Sequence, residues 1–480
     1  MFSNNLLLYS DSFSYKKALI TAIPITLISL VLIKISWILV FIPMFVFIAL
    51  MFSEKIFVFI SIASFLVLTS TINVELRLIV QVLNILILSY LFIKTNGLNF
   101  NNYPEIPSIV RKFLLLLYIS MVISTIFSNH ILLGIKEIVR LSIFLLIIYS
   151  FFGLLKSHRD VRLFTYALFF SGLVYFFNVF YGFAQNDFNF FSMNLEQIIK
   201  PKGDYINLNS IGSFFVIIIS LLFGYLIPIK NKKMKFYLVL LISIYISGLL
   251  ITNSRAAILS TIISSLFIVY FYNKKIFYRT IFVFSISIPF LFISPLNKYI
   301  DLYLRIDRLT SGRNWIWDTV FNVIKNNPIL GVGPAGTKYE MYKNIPFMLG
   351  THAEKFILFH YNEIEFGHAH NFYLFFFSDM GILGLITSLM LPYVFIWMGF
   401  QTMKKFKGFS NEYYWLTVGI TAAGIGLFIR GFFEWGNLIS YGTLGKDLPF
   451  WLIFIILIYL YQKQINYHNI KLNFSKSDQS

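Results

Sequence analysis

Arg255 belongs to the first of three motifs in which a charged residue stands near the predicted start of a helix. In TNSRAAILS (252–260), three residues that favour the N-cap position precede it, so it falls in the first helical turn. An arginine there opposes the helix dipole, and the arrangement becomes favourable when the guanidinium and the free backbone amides hold an anion together. The motif therefore indicates an anion site, and an arginine that reaches towards lipid headgroups is the alternative.

The second motif, LTSGRNWIWDTV (309–320), predicts an amphipathic helix that begins near Ser311 and ends before Pro328. Its apolar positions fall on one face, and its two tryptophans are typical of a helix that lies along the membrane interface. A second arginine-bearing helix start on the same side predicts a clamp for a diphosphate, although phospholipid headgroups would need the same residue types. The arginines of this region are Arg305, Arg308 and Arg313.

The third motif, GHAHNFYLFFFSDMGILGLI (367–386), brings His370 and Asn371 to the mouth of a predicted span. A helix N-terminus favours the neutral form of a nearby imidazole, and a neutral imidazole can act as a general base near neutral pH. His370 is therefore the candidate base, with Asn371 and His368 as candidate substrate-binding neighbours. A histidine that only makes hydrogen bonds at the interface is the alternative.

The two histidines of this motif could also contribute to a metal site together with Glu363 or Glu365. Metal-binding histidines on a helix are usually spaced i, i+4, which places both ligands on one face. The spacing of His368 and His370 does not fit that pattern. We therefore expect neither a metal ion nor another cofactor.

Two further arrangements are interpreted as structural. In FIRGFFEWG (428–436), Arg430 and Glu434 are spaced i, i+4 at the outer end of a span, so an ion pair is expected, with support of the reacting groups as the alternative. The turn ILGVGPAG (329–336) lacks the GK[ST] ending of a phosphate-binding loop and is interpreted as a chain reversal.

The composition places these motifs in a membrane protein. Of the 480 residues, 58% are hydrophobic and 12% charged, whereas a soluble domain carries roughly 25% charged residues. The net charge of +18 is concentrated in short loops between apolar runs, which argues against nucleic-acid binding, and the absence of cysteine excludes disulfides and thiol nucleophiles. The apolar runs do not alternate with polar residues, so the sequence predicts an all-α polytopic membrane protein rather than a β-barrel.

The predicted fold has 12 to 14 transmembrane helices. It comprises an N-terminal transmembrane bundle (1–293), a long loop on the outer side with short amphipathic helices (294–370), and C-terminal transmembrane helices with a cytoplasmic tail (371–480). The candidate spans are roughly 18–33, 35–53, 55–72, 75–94, 112–128, 132–155, 162–183, 207–229, 235–251, 254–272, 277–293, 371–400, 412–430 and 447–462.

The basic turns set the predicted orientation. Placing the most basic turns in the cytoplasm forces 252–254, 294–370 and 431–446 to the outer side, and both termini then fall in the cytoplasm. With this orientation, successive spans cross the membrane in alternating directions along the chain, and the most basic turns all fall on the cytoplasmic side. All three motifs therefore face the same side of the predicted membrane.

In order and spacing, the motifs resemble the O-antigen ligase and O-antigen polymerase superfamily of bacterial envelope glycosyltransferases. The resemblance directly covers roughly 250–400. The sequences that carry it are SRAA (254–257), SGRNWIW (311–317), NPILGVGP (327–334) and HNFYLFFFSDMGILGLI (370–386). It implies a C-type glycosyltransferase fold in the bacterial inner membrane, with its active site in the periplasm and an undecaprenyl-diphosphate-linked glycan as donor.

The resemblance also implies roles for individual residues. Arg255 and Arg313 would hold the donor diphosphate, and His370 would deprotonate the acceptor hydroxyl. The favoured reaction is ligation to lipid A-core in lipopolysaccharide biosynthesis. The alternatives are a polysaccharide polymerase that extends a lipid-linked glycan, a protein O-oligosaccharyltransferase and, from another class, a lipid or polysaccharide transporter.

Overall fold

The computed structural model describes residues 54–71, 74–188, 207–293, 313–344 and 368–477, and within these ranges every regular element is helical. Helices satisfy their own backbone hydrogen bonds, as long apolar runs in lipid require. The α-helices are α1 (Glu54–Thr71), α2 (Val74–Asn96), α3 (Ser108–Ile126), α4 (Ile131–Leu154), α5 (His158–Gln185), α6 (Leu208–Leu226), α7 (Lys232–Ile251), α8 (Arg255–Tyr272), α9 (Lys274–Ile293), α10 (Arg313–Asn326), α11 (Thr337–Glu340), α12 (Phe372–Phe406), α13 (Asn411–Arg430) and α14 (Leu444–Ser477).

Twelve of the helices in the described ranges have at least 18 residues, and they coincide within a few residues with twelve of the predicted spans, apart from the longer extensions of α12 and α14. Eight of them are long and apolar enough to cross a membrane. The predicted class, an all-α polytopic membrane protein, is confirmed. The predicted spans 18–33 and 35–53 lie outside the described residues.

The amphipathic helix expected after Ser311 is α10, which begins at Arg313 and ends at Asn326, before Pro328. Its apolar face is buried, since Ile316 is 5% exposed and Val320 is fully buried, while Asp318 and Lys325 on the other face are exposed. This division follows the sequence pattern directly.

Several helix ends meet at one end of the bundle. The amide of Phe372, which starts α12, donates to the carbonyl of Gly431 just after α13 (2.7 Å). The carbonyl of Asn209 in the first turn of α6 accepts a hydrogen bond from Arg430 at the end of α13 (2.9 Å). The start of α8 packs against the same part of α6. This end of the bundle therefore gathers the segments that the topology predicts on the outer side.

Helix α12 is interrupted near its start, and the turn after α10 is docked into the interruption. Gly381 has φ 61° and ψ −153°, which breaks the helix. The amide of Ile382 then donates to the carbonyl of Pro328 (3.0 Å), and the amide of Gly333 donates to the carbonyl of Asp379 (2.8 Å). Backbone groups released by the break are thus satisfied by the turn. The turn ILGVGPAG (329–336) and Gly381 of the third motif therefore belong to one contact.

The side chain of Asp379 reinforces this contact. Its carboxylate is buried and accepts hydrogen bonds from the amides of Ala335 (2.8 Å) and Thr337 (3.0 Å) and from the hydroxyl of Tyr441 (2.7 Å). A carboxylate with this many donors stabilises the surrounding backbone. The contact fixes α10, which carries Arg313, relative to α12.

Replacing Gly381 with alanine is expected to lower the free energy of unfolding by more than about 2 kcal/mol, because a Cβ there would overlap the backbone of Ile329 as well as strain the dihedral angle. The matched control is Gly408→Ala, since Gly408 also has positive φ (82°) but nothing lies within 4 Å of the added Cβ. The control should cost only about 1 kcal/mol. Thermal unfolding in detergent measures both, and equal shifts for the two variants would contradict this account of the contact.

Candidate active site

The carboxylate of Glu434 joins two of the predicted site residues. Its Oε1 lies 2.5 Å from Nη2 of Arg313, and its Oε2 lies 3.6 Å from Nδ1 of His370. The second distance is longer than a hydrogen bond but within the range of an ion pair. The structure therefore places Arg313 and His370, which are far apart in the chain, on either side of one acidic group.

Hydrogen bonds between the segments hold this arrangement together. The indole of Trp317 in α10 donates to the carbonyl of Ala369 (2.9 Å), next to His370. Asn371 is the N-cap of α12, and its Oδ1 accepts from the amides of Tyr373 (2.9 Å) and Leu374 (3.0 Å). Its Nδ2 donates to the carbonyl of Phe432 (3.0 Å). Asn371 thus joins α12 to the turn that carries Glu434, and its contact with a substrate stays a prediction.

His370 has an uncommon backbone conformation. It lies one residue before the N-cap of α12, and its φ is +45°, in the left-handed region that few non-glycine residues adopt. Such conformations cost about 1–3 kcal/mol and occur often at functional sites. The strain orients the histidine ahead of the helix rather than within its first turn, and the side chain remains 25% exposed.

Glu434 is ionised at every physiological pH. Burial raises the pKa of its carboxyl group, but His370, Arg313 and Arg430 around it outweigh burial and hold the pKa at about 2. The permanent negative charge faces the imidazole and would stabilise an imidazolium once His370 accepts a proton. From the sequence, Glu434 is expected to pair with Arg430, with support of the reacting groups as the alternative, whereas the structure places its carboxylate between Arg313 and His370.

Arg430 and Glu434 do not form the expected ion pair at contact distance. The amide of Glu434 donates to the carbonyl of Arg430 (3.0 Å), so the i, i+4 relation holds for the backbone, but the carboxylate faces Arg313 and His370. The guanidinium of Arg430 instead donates to the carbonyls of Gly436 (3.2 Å) and Asn209 (2.9 Å). Arg430 therefore anchors the turn to α6.

Arg255 is the first residue of α8, with Ser254 as the N-cap, as predicted. An added Cβ on Gly212 of α6 would lie 3.1 Å from the Cβ of Ser254, so the start of α8 lies against the first two turns of α6. Arg430 binds the same part of α6 through Asn209. The start of α8 is thereby at the end of the bundle that holds Glu434.

His368 is a neutral aromatic group in this structure. Its ring stacks on Trp435, with 4.0 Å between ring centroids and 24° between planes. Burial, together with the charges of His370, Lys446 and Lys338, lowers the pKa of His368 to about 3. His368 therefore offers a hydrogen-bonding and stacking surface rather than a cation for a phosphate.

Some predicted residues lie outside the described residues, namely Arg305, Arg308, Glu363 and Glu365. Within the described ranges, no group of three His, Asp or Glu side chains is placed to hold a metal ion. Sequence reasoning missed Trp435 and Lys446, because an aromatic residue and a lysine close to a span are ordinary features of a membrane interface.

Residues 236–389 match the family model of O-antigen ligase. The match supports the resemblance of this part of the chain to the O-antigen ligase superfamily. The match includes Arg255, Arg313 and His370, and thus all the motifs on which the resemblance rested, whereas Arg430 and Glu434 lie beyond it. Members of this family are glycosyltransferase-like enzymes that use lipid-linked glycans, and the apolar helices of this chain are those of a multi-pass membrane protein. No curated protein matches the chain.

Proposed function

We propose that the protein is an O-antigen ligase of the bacterial inner membrane. It transfers a glycan from an undecaprenyl-diphosphate carrier to a hydroxyl of lipid A-core at the periplasmic face. The observation that carries the proposal is the position of Glu434 between Arg313 and His370. Glycosyl transfer from a diphosphate needs a base for the acceptor hydroxyl and a cation for the leaving group. His370 and Arg313 can supply these two groups.

His370 acts as the general base in this proposal. Since Nδ1 faces the carboxylate of Glu434, we assign the proton of the neutral ring to Nδ1, which leaves the lone pair of Nε2 for the acceptor. Nε2 takes the proton of the acceptor hydroxyl as the oxygen attacks the anomeric carbon. Glu434 stabilises the resulting imidazolium, as the carboxylate that orients a catalytic histidine does in other enzymes.

The bond between the anomeric carbon and the diphosphate oxygen breaks in the same reaction, and the electron pair leaves with the diphosphate. Arg255 and Arg313 neutralise the charge that develops on it, so the carrier departs without protonation. The guanidinium of Arg313 has five N–H donors, and it can keep its contact with Glu434 while it binds phosphate oxygens. Neither a metal ion nor a nucleotide sugar is needed for these steps.

Reconstitution of the purified protein tests this proposal. Proteoliposomes that contain the protein, an undecaprenyl-diphosphate-linked glycan and lipid A-core should yield glycosylated lipid A-core on a gel, with the same rate in EDTA. Extension of the lipid-linked glycan without use of lipid A-core would support the polymerase alternative. If the donor crosses the bilayer but no glycosidic bond forms, the transporter alternative replaces the enzyme.

A further inference from the structure

A cavity of about 430 Å³ lies next to the candidate active site. It is enclosed by α2, α4, α5, the start of α6 and the segment from Asn437 to Pro449. Arg430 separates it from Glu434, because the guanidinium binds the carbonyls of Asn209 and Gly436, whose chain neighbours Ser210 and Asn437 line the cavity. Its volume falls in the range of about 300–1,000 Å³ that is usual for small-ligand sites.

Lys446 also lines this cavity, where its charge interacts with the buried carboxylate of Asp447. Arg140, the other cation on its wall, is paired with Glu137 (2.5 Å) and donates to the carbonyl of Tyr441 (2.8 Å). Asp447 is fully buried, and it accepts hydrogen bonds from Ser440 and from the amide of Thr443. Within the described ranges, the ammonium of Lys446 donates no hydrogen bond and lies 5.0 Å from the ring centre of Trp435.

The remaining lining suits a sugar. Helices α6 and α14 both begin at the cavity. Their N-termini add partial positive charge to the charge of Lys446. Neutral hydrogen-bonding side chains and aromatic rings make up much of the wall, and such a mixture of apolar surface with a few polar groups is typical of ligand sites. These side chains are Gln81, Asn207, Ser210, Thr443, Phe144 and Tyr175.

We propose that this cavity is a subsite for an acidic sugar residue, carboxylated or phosphorylated, and that Lys446 binds its anionic group. The inference rests on the proposed function, because the acidic sugar would belong to one of the two glycans that meet at His370. Trp435 connects the two places, since its ring contacts both Lys446 (5.0 Å) and His368 (4.0 Å). Lys446, which lines the cavity, is therefore one side chain away from His368.

Binding to the full chain in lipid nanodiscs tests the subsite without any transfer reaction. The probes are glucuronic acid, glucose 6-phosphate and neutral glucose, titrated by calorimetry. The acidic probes should bind at least tenfold more tightly than glucose, and Lys446→Gln should remove this preference, while Lys446→Arg should keep it. Lys343→Gln is the matched control, because Lys343 pairs with Glu340 elsewhere at this end and should leave binding unchanged.

Arg313→Ala should leave the binding of glucuronic acid, which carries no phosphate, unchanged, so a failure of the proposed ligation chemistry would not be mistaken for a failure of the subsite. In a transfer assay, Lys446→Gln should raise the KM of one substrate. A raised KM for the acceptor assigns the acidic sugar to the acceptor, and a raised KM for the donor assigns it to the donor. Equal binding of glucose and the acidic probes, or binding that Lys446→Gln does not weaken, overturns the proposal. Loss of a co-purified anionic phospholipid in Lys446→Gln, without binding of acidic sugars, overturns it too.

Discussion

Replacing His370 with glutamine is expected to lower the rate of glycan transfer by about 10²- to 10⁴-fold, the usual contribution of a general base. Glutamine keeps a hydrogen-bonding side chain of similar length but cannot accept the proton of the acceptor hydroxyl. The charge of the diphosphate site is unchanged by the substitution, so binding of the donor should stay within about twofold. Single-turnover transfer in proteoliposomes and binding of undecaprenyl diphosphate measure the two quantities.

His158→Gln is the matched control for this variant. The His158 side chain is 26% exposed, against 25% for His370, and its Nε2 also lies close to a carboxylate, at 3.2 Å from Glu412. His158 begins α5, however, and lies at the end of the bundle where α13 starts. His370 lies at the opposite end, where α13 ends. We expect normal transfer from this variant. A His370→Gln protein that inserts normally and transfers at the rate of the His158→Gln protein would remove His370 from the mechanism.

Replacing Arg255 or Arg313 with alanine is expected to lower transfer by about 10²- to 10³-fold, as the loss of one charge-stabilising donor does elsewhere. In contrast to His370→Gln, each alanine variant should also weaken the binding of undecaprenyl diphosphate. Lysine should restore part of the loss, since it keeps the charge but not the two-pronged contact. Arg279→Ala is the control, because Arg279 is exposed and follows the opposite end of α8 from Arg255.

A double variant separates binding of the donor by Arg313 from its contact with Glu434. If Arg313 served only to neutralise the buried carboxylate, Arg313→Ala combined with Glu434→Gln would recover the donor affinity that Arg313→Ala loses. The mechanism predicts no recovery, because the diphosphate would still lack a cation. Donor affinity within about twofold of wild type in the double variant would limit Arg313 to a structural role.

Much of the fold follows from local sequence. Eight of the described helices are apolar runs long enough to cross a bilayer, and α10 shows its helical period in Ile316 and Val320, both of which are buried. The start of α8 at Arg255 also falls where N-cap preferences predict it, although the Ser254 side chain makes no capping hydrogen bond. These features depend on residues within one or two turns, so the sequence alone is enough to predict them.

The contacts between segments could not be predicted in this way. The i, i+4 rule paired the side chains of Glu434 and Arg430, and the backbone keeps that spacing, but the carboxylate turns towards Arg313 instead. The break at Gly381 has no local cause apart from the glycine, because the turn that fills it comes from about fifty residues earlier in the chain. Pairings of this kind depend on how the segments pack, which no local pattern encodes.

A cryo-electron microscopy map of the protein with undecaprenyl diphosphate bound would test the central claim most directly, which is that Arg255, Arg313 and His370 serve one reaction centre. The mechanism predicts that both guanidinium groups lie within about 3 Å of diphosphate oxygens and that the His370 ring faces the position of the anomeric carbon. A diphosphate bound away from both arginines, for instance against Lys446, would contradict it.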